Sequence, residues 1–455
     1  MKLNMFSADP VAYVAEKVQE RFSLSQEQLI NAINNKDVTT LRAASNHFFY
    51  TSGEYRRLVE YRAYLLRNDH IIFPAAKCSS AAWKKVDDYL SRKNIRDEHS
   101  NIALHYMRDG AWFGYERELG DSIYFQTLSA NHCRSRGIAN GVRMVEFDLQ
   151  FFSQFRGAEM QAVINGMPEE IVKGYNKYLA HRSEDTRWLL LDTNVARCHM
   201  APDGIPPLIA VLVDIMNLER YKQLNLLGEE LNVYKILIQK LPLNKDGELP
   251  FLAPEIQQFH TNLRQMVKQP VDVVTTPCEV DIVDLQSRVS ENVDRVNDGL
   301  NIVYSTAGTP MLLFNSKNGG AYGLKESINV DTAAMKPLAQ EYESWYRQKF
   351  LIEYKAPVHI QFLLTTEHNK DDALAQLQQA ATLGFPTKMA TAAILGIENM
   401  SDLLDYENNQ LNLIETMIPA VSSYNSSEGG APTKSESQLS DEGLKTRTSE
   451  KNLVE

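Results

Sequence analysis

The chain has 455 residues, of which 44% are hydrophobic and 23% are charged, and its formal net charge is −11. This length and composition predict a globular protein of two to four domains or of one large elongated domain, and they exclude a fibrous or wholly disordered chain. A protein that wraps DNA tightly is normally basic, so the acidity argues against a sequence-reading repressor or a DNA-coating protein.

The N-terminal sequence MKLNMFSADP lacks the apolar core and cleavage site of a signal peptide. No uncharged apolar run reaches about 18 residues, so no membrane span is expected. The four cysteines lie far apart, without a C-x-x-C pair. Reduced thiols are therefore expected, with no metal and no cofactor.

The first third of the chain predicts helices followed by a β-meander. Residues 11–34 form one helix or two, since Ser25 and Gln28 have the spacing of a capping box. In the segment 50–74, YTSGEYRRLVEYRAYLLRNDHIIFP, the pattern predicts a helix capped by Ser52 and then a strand. Two amphipathic helices follow at 80–94 and 98–110. Short apolar runs separated by glycines then predict a meander from Ala111 to Leu149.

The middle of the chain alternates between the two periods. A helix is predicted at 167–179 with Pro168 at its start, then strands at 188–191 and 196–200, and a turn at 202–204. The longest apolar-rich helix is predicted at 206–231, with Pro207 at its first position. Strands at 235–241 and 271–283 enclose a polar turn, 244–247, and a helix at 254–268.

The last third is mainly helical. A helix is predicted at 284–303, and the segment 311–324 predicts a hairpin or a long flexible loop. A long helix at 330–354 is expected to bend at Pro337, and a strand follows at 358–364. Further helices are predicted at 370–383, 387–395 and 400–418, the first two closed by Gly384 and Gly396. From residue 422 the near absence of apolar residues predicts a disordered tail.

Motifs typical of enzymes are missing from the sequence. There is no P-loop, no dinucleotide-binding glycine triplet, no H-E-x-x-H and no G-x-S-x-G. Paired acids such as Asp87-Asp88 and Glu229-Glu230 lie on amphipathic patterns, where solvated helix faces explain them. His105 and His132 are interpreted as core or surface histidines with partners. The sequence therefore gives no reason to expect catalysis.

Several segments resemble, in order, the portal proteins of tailed bacteriophages, which form the ring through which DNA enters and leaves the capsid. After the segment 50–74 come DGAWFGYERELGDSIYFQTLSANHCRSRG, MVEFDLQFF, GIPPLIAVLVDIMNLERYKQ and AATLGFPTKMATAAILGI. The last is GGAPTKSESQLSDEGLKTRTSEKN, which resembles the tail of portals from phages of Gram-positive hosts. The resemblance extends from about residue 40 to the C-terminus.

The resemblance implies an α+β portal fold with a wing, two stem helices, a clip and a helical crown. The implied divisions are 1–205 for the N-terminal wing, 206–231 for the first stem helix, 232–283 for the α/β clip, 284–303 for the second stem helix, 304–329 for the tunnel-loop region, 330–370 for the bent wing helix and a strand, 371–421 for the crown, and 422–455 for the tail. In this chain a full helix is predicted between the two clip strands.

The implied function is structural. Identical subunits, about twelve if the chain is like the family, would associate head to tail into a closed ring at one capsid vertex. The implied partners are the terminase large subunit, head–tail connector or adaptor proteins, major capsid and scaffolding proteins, and the double-stranded DNA that passes through, with no membrane. The protein would lie in the virion, and in the host cytoplasm during assembly. Another head–tail connector or minor capsid protein is the alternative, and a cytoplasmic enzyme is a third.

Three groups of residues are the candidate site. The clip turn Asn244, Lys245, Asp246 and Gly247 is expected to contact the terminase and later the connectors, although a plain hairpin turn explains it equally well. Lys317 and Lys325 would line the channel from the glycine-rich loop, for which a buried hairpin is the alternative. Glu291, Asp294 and Asp298 lie opposite an apolar arc on the second stem helix and would line the channel as an acidic face. An ordinary helix with a solvated back is the other interpretation.

Overall fold

The computed structural model describes residues 24–233, 235–241, 244, 250–266, 271–276, 295–309, 321–397 and 400–411. The chain divides into two compact units, Met1–Gly396 and Ile397–Glu455. In the described residues the first unit contains many helices and four small sheets, three antiparallel and one parallel. The fold is therefore a mixture of helices and sheets, as the sequence predicted.

The described helices are numbered in chain order. They are α1 Gln26–Asn34, α2 Val38–Thr51, α3 Gly53–Ala63, α4 Ser80–Ser91, α5 Ile95–Asp109, α6 Gly157–Gly166, α7 Glu169–Ala180, α8 Glu184–Arg187, α9 Val211–Val233, α10 Ala253–Met266, α11 Arg295–Thr306, α12 Ala321–Ala334, α13 Lys336–Glu353, α14 Lys370–Thr382, α15 Lys388–Ile394 and α16 Met400–Asp405. The described strands are β1 His70–Pro74, β2 Ala111–Leu119, β3 Ser122–Leu128, β4 Cys133–Ala139, β5 Val142–Asp148, β6 Trp188–Leu190, β7 Ala196–Met200, β8 Lys235–Lys240, β9 Val271–Thr276 and β10 Val358–Phe362.

Local capping signals locate the first helices. Ser25 and Gln28 form the predicted capping box at the start of α1. The Ser52 hydroxyl accepts a hydrogen bond from the backbone N–H of Tyr55 at 3.4 Å, which caps α3. Tyr55 and Leu58 are fully buried. The prediction that the segment 50–74 contains a helix followed by a strand is confirmed.

The predicted meander is divided between two sheets, because β3 does not pair with β4. The hairpin β2–β3 pairs with β7 in the order β3-β2-β7, and the hairpin β4–β5 pairs with β6 in the order β4-β5-β6. Strand β2 separates the two cores of the first unit, because successive side chains of a strand point to opposite faces. Trp112 belongs to a core shared with the N-terminal helices, α9 and α13. Phe113 belongs to a second core built on Phe147, Phe151 and other side chains of β5 and the turn after it.

The long helix α9 begins later than the sequence predicted. Residues 207–210 form a turn, so Pro207 precedes the helix by four positions instead of occupying its first one. After α9 come the parallel strands β8 and β9 with α10 between them, which is a βαβ arrangement. The second long helical segment, predicted at 284–303, is described only as α11; residues 284–294 lie outside the described ranges.

The segment after the glycine-rich stretch differs from the prediction. Residues 321–324 belong to α12 and are neither hairpin nor loop, so this helix begins before residue 330. The long helix is interrupted next to Pro337, as predicted, since α12 ends at Ala334 and α13 begins at Lys336 with Pro337 in its first turn. Proline lacks the N–H that would continue the helical hydrogen-bond ladder. The N–H of Met335 instead donates to the Thr332 carbonyl at 3.1 Å.

Strand β10 pairs antiparallel with β1, and the predicted helices α14 and α15 follow it. Their ends lie just before Gly384 and Gly396, as expected. In the second unit, α16 continues into a π-helical turn, Tyr406–Gln410. The predicted tail from residue 422 lies outside the described residues.

Candidate functional site

Helices α9 and α11, which correspond to the two predicted stem helices, pack directly on each other. A Cβ atom built on Gly299 would lie 3.0 Å from Cδ2 of Tyr221 and 3.1 Å from Cδ1 of Leu218, so only a residue without a side chain fits this contact as it stands. Val303 on the same face is fully buried. Val296 and Leu300 are partly buried against the same core. The described half of the predicted apolar arc therefore faces the protein interior.

The opposite side of α11 faces solvent. Asp298 is exposed, together with Arg295 one turn before it. These two residues are the part of the predicted charged face that is described. Glu291 and Asp294 lie outside the described residues.

The two halves of α9 have different surroundings. At the beginning of the helix, Leu212, Ile215 and Leu218 are fully buried. Further along, Leu224, Leu226 and Leu227 are 48%, 63% and 50% exposed. At about 100° per residue, Leu224 and Leu227 lie on one side of the helix, about 60° apart, and Leu226 lies on another side. Residues 223–227 are all exposed, so neither side is covered over this stretch by the described part of the chain.

The parallel pair β8–β9 follows α9 directly. The connecting helix α10 has exposed apolar side chains at both ends. Leu252, just before the helix, is 72% exposed, and Met266, its last residue, is 82% exposed. Asn244, the first residue of the predicted clip turn, is exposed. Lys245, Asp246 and Gly247 are outside the described residues.

Of the two lysines predicted to lie in the glycine-rich loop, the structure describes one. Lys317 is not among the described residues. Lys325 lies within α12, and its ammonium group forms an ion pair with the Asp372 carboxylate near the start of α14. Its location in a helix corrects the expectation that the loop extends to this residue. A phosphate contact by Lys325 would have to compete with Asp372.

A buried charged cluster in the first core was not predicted from the sequence. Arg197 is fully buried and lies under aromatic rings, with its Cζ 4.7 Å from the Trp345 ring centre. Its Nε donates to His199 Nε2 at 2.7 Å, and its Nη2 lies 2.9 Å from His99 Nε2. His199 Nδ1 in turn lies 3.0 Å from the Glu341 carboxylate.

Burial and the neighbouring guanidinium keep both histidines of this cluster neutral. Burial lowers the pKa of His199 to about 4, and the charge of Arg197 acts in the same direction. The same two causes lower the pKa of His99 well below its ordinary value. Since His199 is 1% exposed and His99 is 0% exposed, a substrate has no access to these rings. The cluster is therefore structural.

A second group of buried charges lies beside the first. Lys93 contacts Glu116 at 3.0 Å and Glu98 at 3.3 Å, and Lys349 contacts Glu116 at 2.6 Å. Burial lowers the pKa of Lys93, although the carboxylates oppose it. These contacts tie α5, β2 and α13 together. The local sequence pattern does not mark these residues as buried, and only their contacts with residues distant in the sequence reveal the cluster.

Two of the described cysteines and both histidines that the sequence singled out have surroundings that explain them without catalysis. Cys133 and Cys198 are buried free thiols, and burial raises the pKa of each. His105 contacts Asp109, and His132 contacts Ser129, so both predicted histidines have partners. Within the described ranges, no group of three or more metal-ligating side chains comes together.

A groove of about 830 Å³ lies between α13, β10, α14 and α15. Its lining is mainly apolar and includes Ile360, Phe362 and Leu377. The carboxylate of Glu343 accepts a hydrogen bond from the Phe362 backbone N–H at 2.9 Å, so part of the strand edge is already satisfied.

Among the helices that the structure describes, none is long and apolar enough to cross a membrane.

Comparison with known proteins gives solved structures but no family. No family model matches the chain, and no curated protein matches it. A chain from the neck of a native GTA particle, computed with C12 symmetry, is similar at 11% identity and a TM-score of 0.42, over 77% of this chain and 94% of that one.

A chain from the virion of a native gene transfer agent (GTA) particle is similar at 10% identity and a TM-score of 0.40, covering 79% of this chain and 93% of that one. A chain from the neck of an empty GTA particle, computed with C6 symmetry, has 11% identity and a TM-score of 0.41, with the same two coverages.

Proposed function

We propose that the chain is a portal subunit, which forms a closed ring of about twelve copies at one capsid vertex and has no enzymatic activity of its own. Double-stranded DNA would be packaged through the ring by the terminase and later ejected through it, and the ring would join head to tail. The resemblance of ordered sequence segments to portal proteins supports this proposal. The observation that carries it in the structure is the exposed half of α9.

A helix that exposes leucines on more than one side in water needs further protein around it. Fully burying one leucine side chain contributes about 1.5–3 kcal/mol. Leu224, Leu226 and Leu227 are about half exposed, so covering them would contribute roughly half of that for each residue. Neighbouring copies of α9 in a ring would cover these side chains. The packing of α9 on α11, with a βαβ arrangement between them, fits the stem–clip–stem order that the resemblance implies.

The divisions implied by the resemblance are proposed with one change. The wing would be 1–205, the first stem helix 206–231, the clip 232–283 and the second stem helix 284–303. The tunnel loop would end before α12, instead of including Lys325. The bent wing helix would then be α12 and α13 together, followed by the crown and the tail.

The proposed ring interface is tested by replacing Leu224, Leu226 and Leu227 together with glutamine, a residue of similar helix propensity. Loss of this apolar surface is expected to convert the ring into smaller species, measured by mass photometry at fixed protein concentration. Leu383→Gln is the matched control, because Leu383 is 78% exposed and lies after α14. If the triple variant forms the same ring as the control, α9 does not form the interface.

The proposed channel face is tested by changing Glu291, Asp294 and Asp298 to lysine. Lysine contacts to phosphate would retain DNA that the acidic groups allow to slide, so packaging is expected to slow, most strongly at low salt. The assay is the rate of DNA packaging at several salt concentrations, with ring assembly checked first. A normal rate at every salt concentration would remove the channel role from this face.

A further inference from the structure

Arg62 lies in the last turn of α3 and contacts two other helical segments. Its side chain is 13% exposed. The first of these segments is the end of α11, and the second is α12. These are the helices on either side of residues 310–320, so a single guanidinium group contacts the described chain before and after that stretch.

The contact with α11 is at its C-terminal end, where backbone carbonyl groups lack partners within the helix. Arg62 Nη2 donates to the carbonyl oxygen of Ala307 at 3.1 Å and lies 3.3 Å from the Thr309 hydroxyl. Gly308 has a φ of +64°, the left-handed conformation that ends many helices. A positive charge at this position also interacts favourably with the helix dipole.

The contact with α12 is a buried ion pair. Arg62 Nη1 lies 2.7 Å from Oδ1 of Asp331, whose side chain is only 3% exposed. The Tyr61 hydroxyl donates to the other carboxylate oxygen at 2.9 Å. Removing one partner of such a pair leaves a buried charge without compensation, which is strongly destabilising.

We propose that Arg62 is a positioning residue that holds α11 and α12 in a fixed arrangement on α3. The planar guanidinium fork can reach a carboxylate and a carbonyl group at the same time, whereas a lysine ammonium is a compact single charge. Arg62→Lys should therefore keep the charge but weaken both attachments, because one ammonium group would be shared between them. If the chain is a portal subunit, the tunnel loop lies between α11 and α12, so weaker attachment of these helices should reduce DNA retention. This consequence rests on the proposed function, whereas the attachment itself does not.

The attachment is tested by amide hydrogen exchange on the intact protein. In Arg62→Lys, exchange is expected to rise about tenfold in 303–309 and in α12, which corresponds to about 1.4 kcal/mol, while α2 is unchanged. In Asp331→Asn, the rise should be confined to α12, because the contacts of Arg62 with the end of α11 remain.

Arg56→Lys is the matched control, since Arg56 lies on the same helix, pairs with Glu60 and is 56% exposed. Unchanged exchange in both segments of Arg62→Lys, or a uniform rise throughout the protein, would overturn the proposal. A rise in α11 equal to that in α12 for Asp331→Asn would also overturn it.

Measuring DNA retention in particles that carry Arg62→Lys distinguishes the attachment of the two helices from its effect on the channel. A local change in exchange together with reduced retention supports both the attachment and its role in the ring. A local change with normal retention leaves the attachment standing and overturns its consequence for the channel. A wild-type protein that forms no ring would refute the proposed function, without altering the exchange result.

Discussion

Acidification should destabilise this protein through a histidine that is neutral when folded. The pKa of His199 is about 4 in the folded chain, because burial and Arg197 disfavour its charged form, against 6.5 for an ordinary histidine. A group whose folded pKa lies below its unfolded pKa stabilises the protein above the unfolded value. That contribution is lost as the pH falls from about 6.5 toward about 4.

The size of the effect follows from the two pKa values. Between pH 7 and pH 5 the unfolded chain gains a proton on this residue and the folded chain does not, which costs about 2 kcal/mol of stability. At pH 4 the loss reaches about 3 kcal/mol. His99 titrates in the same direction and adds to the effect, since its pKa is also lowered by burial and by Arg197.

The assay is urea denaturation at pH 7, 6 and 5, with wild type and His199→Gln at one protein concentration because association changes apparent stability. Glutamine can accept from Arg197 and donate to Glu341 but cannot be protonated. Wild type should lose about 2 kcal/mol more than the variant between pH 7 and pH 5. Equal losses in the two proteins would refute the assignment of a buried neutral imidazole.

Three further predictions concern the stem helices, the tail and the clip. Gly299→Leu should reduce the stability by about 1–3 kcal/mol, since its side chain meets Tyr221, and thermal unfolding will measure the loss. Truncation after Tyr424 should leave the number of subunits in the ring unchanged, because the removed residues contribute almost no apolar surface. Loss of the ring in a native mass measurement would contradict this. Exchange of charges by Lys245→Glu with Asp246→Arg should leave assembly intact and weaken binding of the terminase, and equal binding would count against the clip assignment.

Elements with a local cause could be predicted from the sequence. The caps at Ser25 and Ser52 use a hydroxyl and a backbone N–H three residues away, so the sequence contains both partners. The interruption of the long helix next to Pro337 has an equally local cause, since the residue itself lacks a donor. These elements lie close to their predicted positions because no distant contact is needed to form them.

Elements that depend on distant contacts could not be predicted. Arg197 is buried because aromatic rings from α13 surround it. Arg197 and Trp345 are far apart in the sequence, so no local pattern predicts this contact. The start of α12 within a stretch interpreted as a loop is a second example. Lys325 is helical there and pairs with Asp372, although the nearby glycines suggested a turn.

The candidate site could be predicted only in part. The apolar arc of α11 was predicted from helical periodicity, and Val303 lies buried as expected. The close contact at Gly299 was not predicted, because a glycine within a helix does not indicate which residue packs against it. The exposed leucines of α9 were likewise hidden, since an apolar run does not reveal which of its residues the same chain covers.

The central claim is that copies of this chain form a closed ring around a channel. Twelve chains of 51.6 kDa would have a mass of about 620 kDa. The most direct test is native mass measurement of the purified protein, together with negative-stain images viewed down the particle axis. We expect a ring near that mass with a central opening, and a stable monomer or dimer at micromolar concentration would contradict ring formation.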